Sequence, residues 1–408
     1  MQADRLFKEI EKLKDEMTET LMELIRIPAI APESGGTGES EKAEKLLQIC
    51  KTVGFDRIQR FDAEDNRVPS GKRPNIIAYL NGKSDEETLW IITHMDVVPP
   101  GEDSLWTETK PYEPTIKDGK IYGRGSEDNT QPMISSIFAI KALKNLGMKP
   151  NRNVALCFVA DEENGSKYGI KYLVKQDLFK KGDLILVPDA GVSDGSFIEI
   201  AEKSSLWLRI QTIGKQAHAS MPHDGINANR AGMAFALALD KMLHEKYADE
   251  DKLFDPPAST FEPTKKEKNV DALNIIPGED VIYFDCRILP KYNVETIITE
   301  VEDLATTFEK KTATRIQIEV VNKSIAPTPT AESAKIVKML KEALIRLRGK
   351  NAKAGGIGGG TCAASFRRKN IPAVVWATMD ELAHQPNEYA KIENMVDDAK
   401  VFAYLAIN

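Results

Sequence analysis

Thr88-Leu-Trp-Ile-Ile-Thr-His-Met-Asp96 is a short apolar run that ends in a histidine and an aspartate. An apolar run of this length is typical of a buried strand. Similar runs lie at 75–80, 154–160 and 184–187, and a helical pattern spans 132–147. Because strands alternate with helices, we predict an α/β protein with helices layered on a sheet.

Residues that can carry chemistry follow these runs. His94 and Asp96 end one run, the triplet Asp161-Glu-Glu163 ends another, and Asp189 follows a third. In open α/β sheets, functional groups cluster beyond the carboxyl ends of the strands. We therefore expect these side chains to meet at one edge of the sheet.

The residue types in this series suit divalent metal ions. Imidazole nitrogens and carboxylate oxygens are ligands for ions of the Zn²⁺ type. Two such ions can activate water and stabilise developing negative charge, which points to hydrolysis. The complete series is His94, Asp96, Asp128, Glu162, Glu163, Asp189 and His384.

Each motif alone also has an ordinary structural explanation. Asp128 precedes a helix and suits an N-cap, the acidic triplet suits a solvated turn, and Asp189 lies near Gly191 as turn residues do. Taken alone, His94 is more typical of a core or loop histidine and His384 of a loop histidine. Metal binding is favoured because carboxylates beside a buried strand end need a cationic partner.

Size and composition narrow the class of protein. A chain of 408 residues, 42% hydrophobic and 29% charged, predicts two domains. Its net charge of -7 argues against a nucleic-acid partner. Residues 6–25 predict one amphipathic helix, not a signal peptide, and no apolar run suits a membrane span. We expect a cytoplasmic protein whose four separated cysteines are buried thiols.

The sequence pattern changes near Lys203. Residues 205–213 alternate as a half-solvated antiparallel strand does. They are followed by a helix at 228–243, a charged loop at 249–269, a strand at 281–289 and a helix at 294–308. We predict a smaller antiparallel domain at 204–325, inserted into a discontinuous catalytic domain made of 1–203 and 326–408.

In the order and spacing of its motifs, the chain resembles the M20 metallopeptidase family, which includes succinyl-diaminopimelate desuccinylase, acetylornithine deacetylase and carboxypeptidases. The resemblance covers essentially the whole chain. It implies a zinc-exopeptidase-like three-layer catalytic domain with an inserted α+β lid or dimerisation domain. The matching segments are Thr93-His-Met-Asp-Val-Val-Pro-Pro100, Tyr122-Gly-Arg-Gly-Ser-Glu-Asp-Asn129, Val159-Ala-Asp-Glu-Glu-Asn-Gly165, Gly214-Lys-Gln-Ala-His-Ala-Ser220, Gly358-Gly-Gly-Thr361 and Ala383-His-Gln-Pro-Asn-Glu388.

The resemblance also implies a set of metal ligands. One divalent ion would be held by His94 and Asp189, a second by Glu163 and His384, and Asp128 would bridge them. Zn²⁺ is the expected metal, with Co²⁺ or Mn²⁺ as alternatives.

Further roles are implied around the metals. Asp96 would orient His94, Glu162 would be the general acid/base, and the Asp128-Asn129 peptide would be cis. His218, otherwise a surface histidine in a turn, would reach the active site of a partner subunit in a homodimer and stabilise the oxyanion.

A further group of residues would bind the substrate carboxylate. Arg is apt for this because its planar fork pairs with a carboxylate through two hydrogen bonds. A strand-end location is the ordinary explanation of Arg287. The glycine-rich segment 355–361 lacks the Lys-Ser/Thr of a phosphate loop, so nucleotide binding is not favoured. The implied binding residues are Asn274, Arg287, Gly360 and Thr361.

Three functional hypotheses follow. The first is a di-zinc amidohydrolase that cleaves a small N-acyl amino acid, such as N-succinyl-diaminopimelate. The second is a metal-dependent carboxypeptidase or dipeptidase acting on short peptides; it is favoured by Asp189, where the biosynthetic deacylases usually have Glu. The third is a metal-binding dimeric scaffold, which would not need Glu162.

Overall fold

In the computed structural model, which describes residues 2–408, the chain divides into two compact units. The larger unit comprises the residues up to Ile200, Pro329–Gly355 and Thr361–Asn408. The smaller unit comprises Ala201–Thr328 and Gly356–Gly360. The glycine-rich residues 356–360 therefore group with the smaller unit, whereas the sequence pattern assigned them to the catalytic domain.

The α-helices of the described chain follow the apolar periodicity of the sequence and are named in chain order. They are α1 Gln2–Lys12, α2 Lys14–Ile25, α3 Ser40–Val53, α4 Gln131–Asn145, α5 Ile170–Leu173, α6 Ala228–Lys246, α7 Val294–Thr312, α8 Lys335–Arg348, α9 Ala363–Arg367 and α10 Ile392–Ile407.

The strands include every apolar run identified above. They are β1 Arg57–Glu64, β2 Lys72–Leu80, β3 Ser84–His94, β4 Thr115–Lys117, β5 Lys120–Tyr122, β6 Arg152–Val159, β7 Leu184–Val192, β8 Phe197–Glu202, β9 Ser204–Ile213, β10 Ala217–His218, β11 Thr260–Lys266, β12 Ile275–Ile276, β13 Glu279–Ile288, β14 Arg315–Ser324, β15 Lys353–Ile357, β16 Ala373–Thr378 and β17 Tyr389–Lys391.

A mixed eight-stranded sheet in the order β1-β2-β6-β3-β7-β16-β8-β15 forms the centre of the larger unit as described. The neighbouring strands β6, β3, β7 and β16 run parallel to one another. Parallel strands are covered on both faces, which explains their nearly continuous apolar sequences. Their carboxyl ends lie at the same edge of the sheet, so the residues that follow them are brought together there.

Helices cover both faces of this sheet, and the predicted three-layer α/β class is confirmed. On one face α5 and α9 pack against strand residues that include Trp90, Cys157 and Val187. On the other face α4, α8 and α10 contact the central strands. The alternation of side chains along each strand supplies an apolar surface to both layers.

The smaller unit is an antiparallel sheet in the order β11-β13-β9-β14 with α6 and α7 on one face. The alternating residues Leu206, Leu208 and Ile210 of β9 are buried against these helices, as the period-2 pattern predicts. A separate two-stranded ribbon pairs β10 with β12.

Three predicted elements were wrong in detail. The helix predicted over 6–25 is broken at Leu13, whose N–H donates to the Ile10 carbonyl at 3.0 Å in a turn between α1 and α2. The loop predicted at 249–269 contains the edge strand β11. Its exposed lysines are typical of an edge strand but also of a solvated loop. Asp189 was expected after the strand but lies inside β7, beyond Leu186, which is the last residue of β7 that pairs with β3.

The cysteine prediction is confirmed, because Cys50, Cys157, Cys286 and Cys362 are all free and buried. Among residues 2–408, no helix combines the length and the apolar character needed to cross a bilayer.

Packing of α6 can be tested with two leucines of the same helix. Leu239 is fully buried and Leu237 is 73% exposed. Leu239→Ala should lower the free energy of unfolding by about 2–5 kcal/mol through lost burial and a residual cavity, and Leu237→Ala should change it by less than about 0.5 kcal/mol. Urea unfolding followed by circular dichroism measures both, and equal losses would show that α6 is packed differently.

Candidate metal centre

The topology brings the predicted ligands of the larger unit to one edge of its sheet. His94 ends β3, Glu162–Glu163 follow β6, and Asp189 lies in β7 beyond its pairing with β3. Asp128 lies in the turn before α4, and His384 in the loop after β16.

Asp128 lies between the two imidazoles. The Nε2 atom of His94 is 2.8 Å from Asp128 Oδ1 and 3.1 Å from Asp189 Oδ1. The Nε2 atom of His384 is 3.0 Å from Glu163 Oε2 and 3.5 Å from the other oxygen of Asp128. The two carboxylate oxygens of Asp128 thus face different histidines, which is the arrangement that a carboxylate bridging two cations needs.

The donor atoms are close enough to share metal ions. The ligand atoms of His94, Asp128 and Glu163 lie within 4.8 Å of one another, and so do those of His94, Glu162 and Asp189. A set of imidazole nitrogens and carboxylate oxygens fits ions of the zinc type. The side chains present therefore fit a divalent transition metal.

The acidic residues of this cluster are held in an unfavourable environment for negative charge. Burial and the nearby charge of Asp189 raise the pKa of Glu162 well above its ordinary value. Burial likewise raises the pKa of Glu163 to about 7. A bound cation would relieve this concentration of charge, since it supplies the positive partner that the carboxylates lack.

The two imidazoles respond in the opposite direction. Burial alone would lower the pKa of His94, but the carboxylates of Asp189 and Asp128 outweigh it and raise that pKa. Hydrogen bonds with Asp128 and Glu163 raise the pKa of His384 to about 10. In the folded chain the histidines and carboxylates pair with each other at the positions where they would bind metal.

Asp96 supports both sides of the cluster. Its backbone carbonyl lies 3.0 Å from Nδ1 of His94, and since a carbonyl can only accept, Nδ1 carries a proton and Nε2 is the nitrogen that would bind a metal once its own proton is displaced. Its carboxylate accepts the backbone N–H groups of Glu162 and Glu163, both at 3.0 Å. The carboxylate is 3.6 Å from Nδ1, so the carbonyl is the closer contact that orients His94.

The turn that carries Asp128 is fixed by its neighbour Asn129. The Asn129 side-chain amide donates to the Pro188 carbonyl at 2.7 Å and to Asp189 Oδ1 at 2.9 Å. The Asp128-Asn129 peptide bond is cis, as the family resemblance implies. Asn129 therefore links the Asp128 turn to the strand that carries Asp189.

Glu388 is a structural residue that the sequence patterns did not single out. Its carboxylate is fully buried and pairs with the Arg124 guanidinium at 2.7 Å. It also accepts the backbone N–H groups of Gly125, Glu127 and Asp128 at 2.9, 2.9 and 3.0 Å. Glu388 therefore fixes the turn that presents Asp128.

Glu127 has the same function for the loop that carries His384. Its buried carboxylate accepts the backbone N–H groups of Asp380 and Leu382 at 2.5 and 2.7 Å. Both Glu127 and Glu388 lie inside the motif segments quoted above. The presence of an acidic residue in a sequence does not show whether its side chain is a buried acceptor or is solvated.

Two of the predicted residues of the smaller unit are brought together by its two-stranded ribbon. His218 in β10 precedes Ala219, whose N–H donates to the Asn274 carbonyl at 2.8 Å. Nδ1 of His218 accepts the Ser220 N–H at 3.2 Å, so in the neutral ring the proton is on Nε2. His218 is therefore held as a hydrogen-bond donor through Nε2.

Arg287 lies on the sheet of the smaller unit and is already paired. Its Nε and Nη2 donate to the two oxygens of Asp285 at 2.6 and 2.9 Å, and its Nη1 donates to the Gly358 carbonyl at 3.1 Å. These bonds use three of the five N–H groups of a guanidinium. Gly360 belongs to the same unit, whereas Thr361 belongs to the larger unit.

Comparison with known proteins decides the family. Residues 90–408 match peptidase family M20/M25/M40. The chain belongs to this family. It is also 42% identical over 395 residues to an uncharacterized metallohydrolase of Methanocaldococcus jannaschii, a match that spans 93% of this chain and 96% of the relative.

Two other M20 similarities are more distant. The chain is 27% identical over 395 residues to a succinyl-diaminopimelate desuccinylase of Pelagibacter ubique, which covers 95% of this chain and 97% of that protein. A solved di-peptidase of Saccharomyces cerevisiae matches the fold with a TM-score of 0.78 at 19% identity, over 99% of this chain and 98% of that one. The M20 chain is thus a hydrolase of amide or peptide bonds, and the scaffold hypothesis is not retained.

The support that Glu388 gives to the Asp128 turn can be tested without metal. Glu388→Gln replaces an acceptor oxygen by an amide donor that faces other donors, and it leaves the buried Arg124 without its anionic partner. We expect a loss of about 3–5 kcal/mol in the free energy of unfolding. The exposed Glu393→Gln in α10 is the control and should change stability by less than about 1 kcal/mol. Urea denaturation measures both, and equal stability of the two variants would contradict this role.

Proposed function

We propose that this M20 enzyme is a two-metal amidohydrolase that removes the acyl group from an N-acyl amino acid of the succinyl-diaminopimelate type. The observation that supports it most directly is the position of Asp128, whose two oxygens face His94 and His384. The likeness to a desuccinylase over nearly the whole chain supports the choice of substrate class.

The proposed ligands of one ion are His94 and Asp189, and those of the other are Glu163 and His384, with Asp128 shared. Two divalent ions, with Zn²⁺ the expected metal, would supply the Lewis acidity that lowers the pKa of water and polarises the scissile carbonyl. The orientation of His94 suits this assignment, because the Asp96 carbonyl holds Nδ1 and Nε2, the nitrogen that would bind the metal, points towards Asp128 and Asp189.

Glu162 is the proposed proton carrier. Its backbone is fixed by Asp96, and its carboxylate lies near His94 and Asp189. Its raised pKa suits a group that must take up a proton and then release it. Glu162 would accept a proton from the attacking water and deliver it to the nitrogen of the departing amine.

Recognition of the substrate would involve the smaller unit, as the family resemblance implies. The N–H groups of Arg287 that are not used by Asp285 and Gly358 would bind the free carboxylate of the substrate, together with Asn274, Gly360 and Thr361. His218, with its proton on Nε2, would donate to the developing oxyanion. In this proposal His218 acts on the site of a second copy, so the active form would be a homodimer.

A metal-dependent carboxypeptidase or dipeptidase is the second candidate function. It is favoured by Asp189, which stands where the biosynthetic deacylases usually have Glu. Because Asp and Glu both supply a metal-binding carboxylate, this position bears on the substrate and leaves the metal centre intact. The two candidates differ in their products, since a peptidase releases two amino acids and a deacylase releases one amine and one carboxylic acid.

A substrate panel tests the reaction. The purified protein, reconstituted with Zn²⁺ or Co²⁺, is incubated with N-succinyl, N-acetyl and other N-acyl amino acids and with dipeptides. We expect release of succinate and a free amine, identified by mass spectrometry. Cleavage of dipeptides alone would favour the second candidate, and no amide hydrolysis across the panel would contradict both.

The role of Glu162 can be separated from metal binding. Glu162→Gln removes the proton-accepting oxygen but none of the proposed metal ligands, so the variant should retain close to two ions per chain by elemental analysis. Its kcat should fall by about 10²–10⁴-fold. Glu381→Gln, in an exposed position of the His384 loop, should behave like the wild type. Full turnover by Glu162→Gln would remove the proton-carrier assignment.

A further inference from the structure

Lys203, which lies between β8 and β9, is buried with its ammonium group against the backbone of a loop. The residue is 4% exposed. Its Nζ donates to the carbonyl of Pro256 at 2.8 Å and to that of Ala258 at 2.6 Å. Lysine is almost never fully buried without a partner, because removing an ammonium group from water is costly. Lys203 therefore holds the loop 253–258 of the smaller unit.

The 253–258 loop contacts the glycine-rich segment 356–360, which belongs to the same compact unit. The N–H of Gly356 donates to the Leu253 carbonyl at 2.6 Å. Phe254 is buried, and a Cβ atom at position 356 would overlap its ring. Glycine is therefore required for the close approach of this segment to the loop.

The two residues after Gly356 are also fixed by the smaller unit. The backbone N–H of Lys203 donates to the Ile357 carbonyl at 3.0 Å. The Nη1 group of Arg287 donates to the Gly358 carbonyl at 3.1 Å. Three consecutive residues of the segment thus hydrogen-bond to three different elements. Lys203 takes part twice, through its backbone directly and through its ammonium by way of the neighbouring loop.

The path of this segment matters because it carries proposed contacts to the substrate. Gly360 lies two residues beyond Gly358, whose carbonyl occupies one N–H group of Arg287. The same guanidinium pairs with both oxygens of Asp285. A shift of residues 356–358 would therefore displace Gly360 and disturb the orientation of Arg287.

We propose that Lys203 is a positioning residue for recognition of the substrate α-carboxylate: its ammonium fixes the 253–258 loop, and that loop fixes the segment that leads to Gly360. This inference rests on the proposed function, in which Arg287 and Gly360 bind the carboxylate. It assigns Lys203 no contact with substrate or metal. Because N-acyl amino acids and dipeptides share an α-carboxylate, the role is the same for either candidate reaction.

A ratio of rates tests the proposal. The metal-reconstituted enzyme is given an N-succinyl amino acid or a dipeptide, and the same compound with its α-carboxylate converted to an amide. Lys203→Met removes the donors, and the preference for the free acid in kcat/KM should fall about 10-fold, as loss of a hydrogen bond made by a charged group does. The fall should come mainly from a higher KM. Lys252→Met, at an exposed lysine of the same region, should keep the wild-type preference.

The ratio separates positioning from general damage. A variant that is partly unfolded or poor in metal loses activity on both compounds in proportion, so its preference stays at the wild-type value. An unchanged preference in Lys203→Met would therefore overturn the positioning role. An equal fall in Lys252→Met would overturn it as well, because loss of any nearby positive charge would then be sufficient.

Gly356→Ala disturbs the same contact and leaves the lysine in place. Its Cβ would press on the Phe254 ring, so the segment must move away from the loop, and the preference for the free acid should fall as in Lys203→Met. Gly182→Ala, where a Cβ meets no atom within 4 Å, is the matched control. A wild-type preference in Gly356→Ala would overturn the link between the loop and the segment.

Hydrogen exchange needs no substrate. The Gly356 amide donates to Leu253, so it should exchange faster in Lys203→Met than in the wild type, measured by mass spectrometry on peptides that contain it. If the wild type cleaves none of the compounds, the proposed function fails by itself, and wild-type exchange in the variant would still overturn the role of Lys203. If Lys203→Met and Lys203→Gln both fail to fold, the lysine serves the whole unit and the specific role is overturned.

Discussion

Hydrogen bonds between buried carboxylates and backbone amides fix the loops that carry the proposed metal ligands. Asp96 binds the amides of Glu162 and Glu163, Glu388 binds the turn of Asp128, and Glu127 binds the loop that leads to His384. Hydrogen bonds from N–H groups to an ionised acceptor are stronger than those between neutral groups. Buried carboxylates therefore hold the backbone of the loops that carry the proposed metal ligands.

Much of this arrangement could be predicted because apolar runs that alternate with helices indicate parallel strands. The runs that end at His94 and precede Glu162 and Asp189 became the parallel strands β3, β6 and β7, and parallel strands place their carboxyl ends at one edge. Two positions followed from resemblance and not from periodicity. His384 lies in an irregular loop and Asp128 in a turn, and nothing in their local sequence indicates that they come within 3.5 Å of each other.

The sequence does not show which charged residues are buried in the fold. Glu388 and Lys203 look like ordinary surface residues of a chain that is 29% charged, because burial of a charge depends on partners that are distant in sequence. Arg124 lies 264 positions before Glu388, with which it pairs. The edge strand β11 was missed for a related reason, since Lys265 and Lys266 satisfy the requirements of a strand edge and also those of a solvated loop.

The same buried charges explain how the proposed ligand side chains are held together in the folded chain. Asp128, Glu162, Glu163 and Asp189 repel one another, and burial makes that repulsion stronger. The fold tolerates it because His94 and His384 pair with the ligand carboxylates, while backbone N–H groups, Arg124 and Arg73 pair with the carboxylates beneath them. A bound cation would replace the histidine protons as the partner of these oxygens, so its binding would release protons.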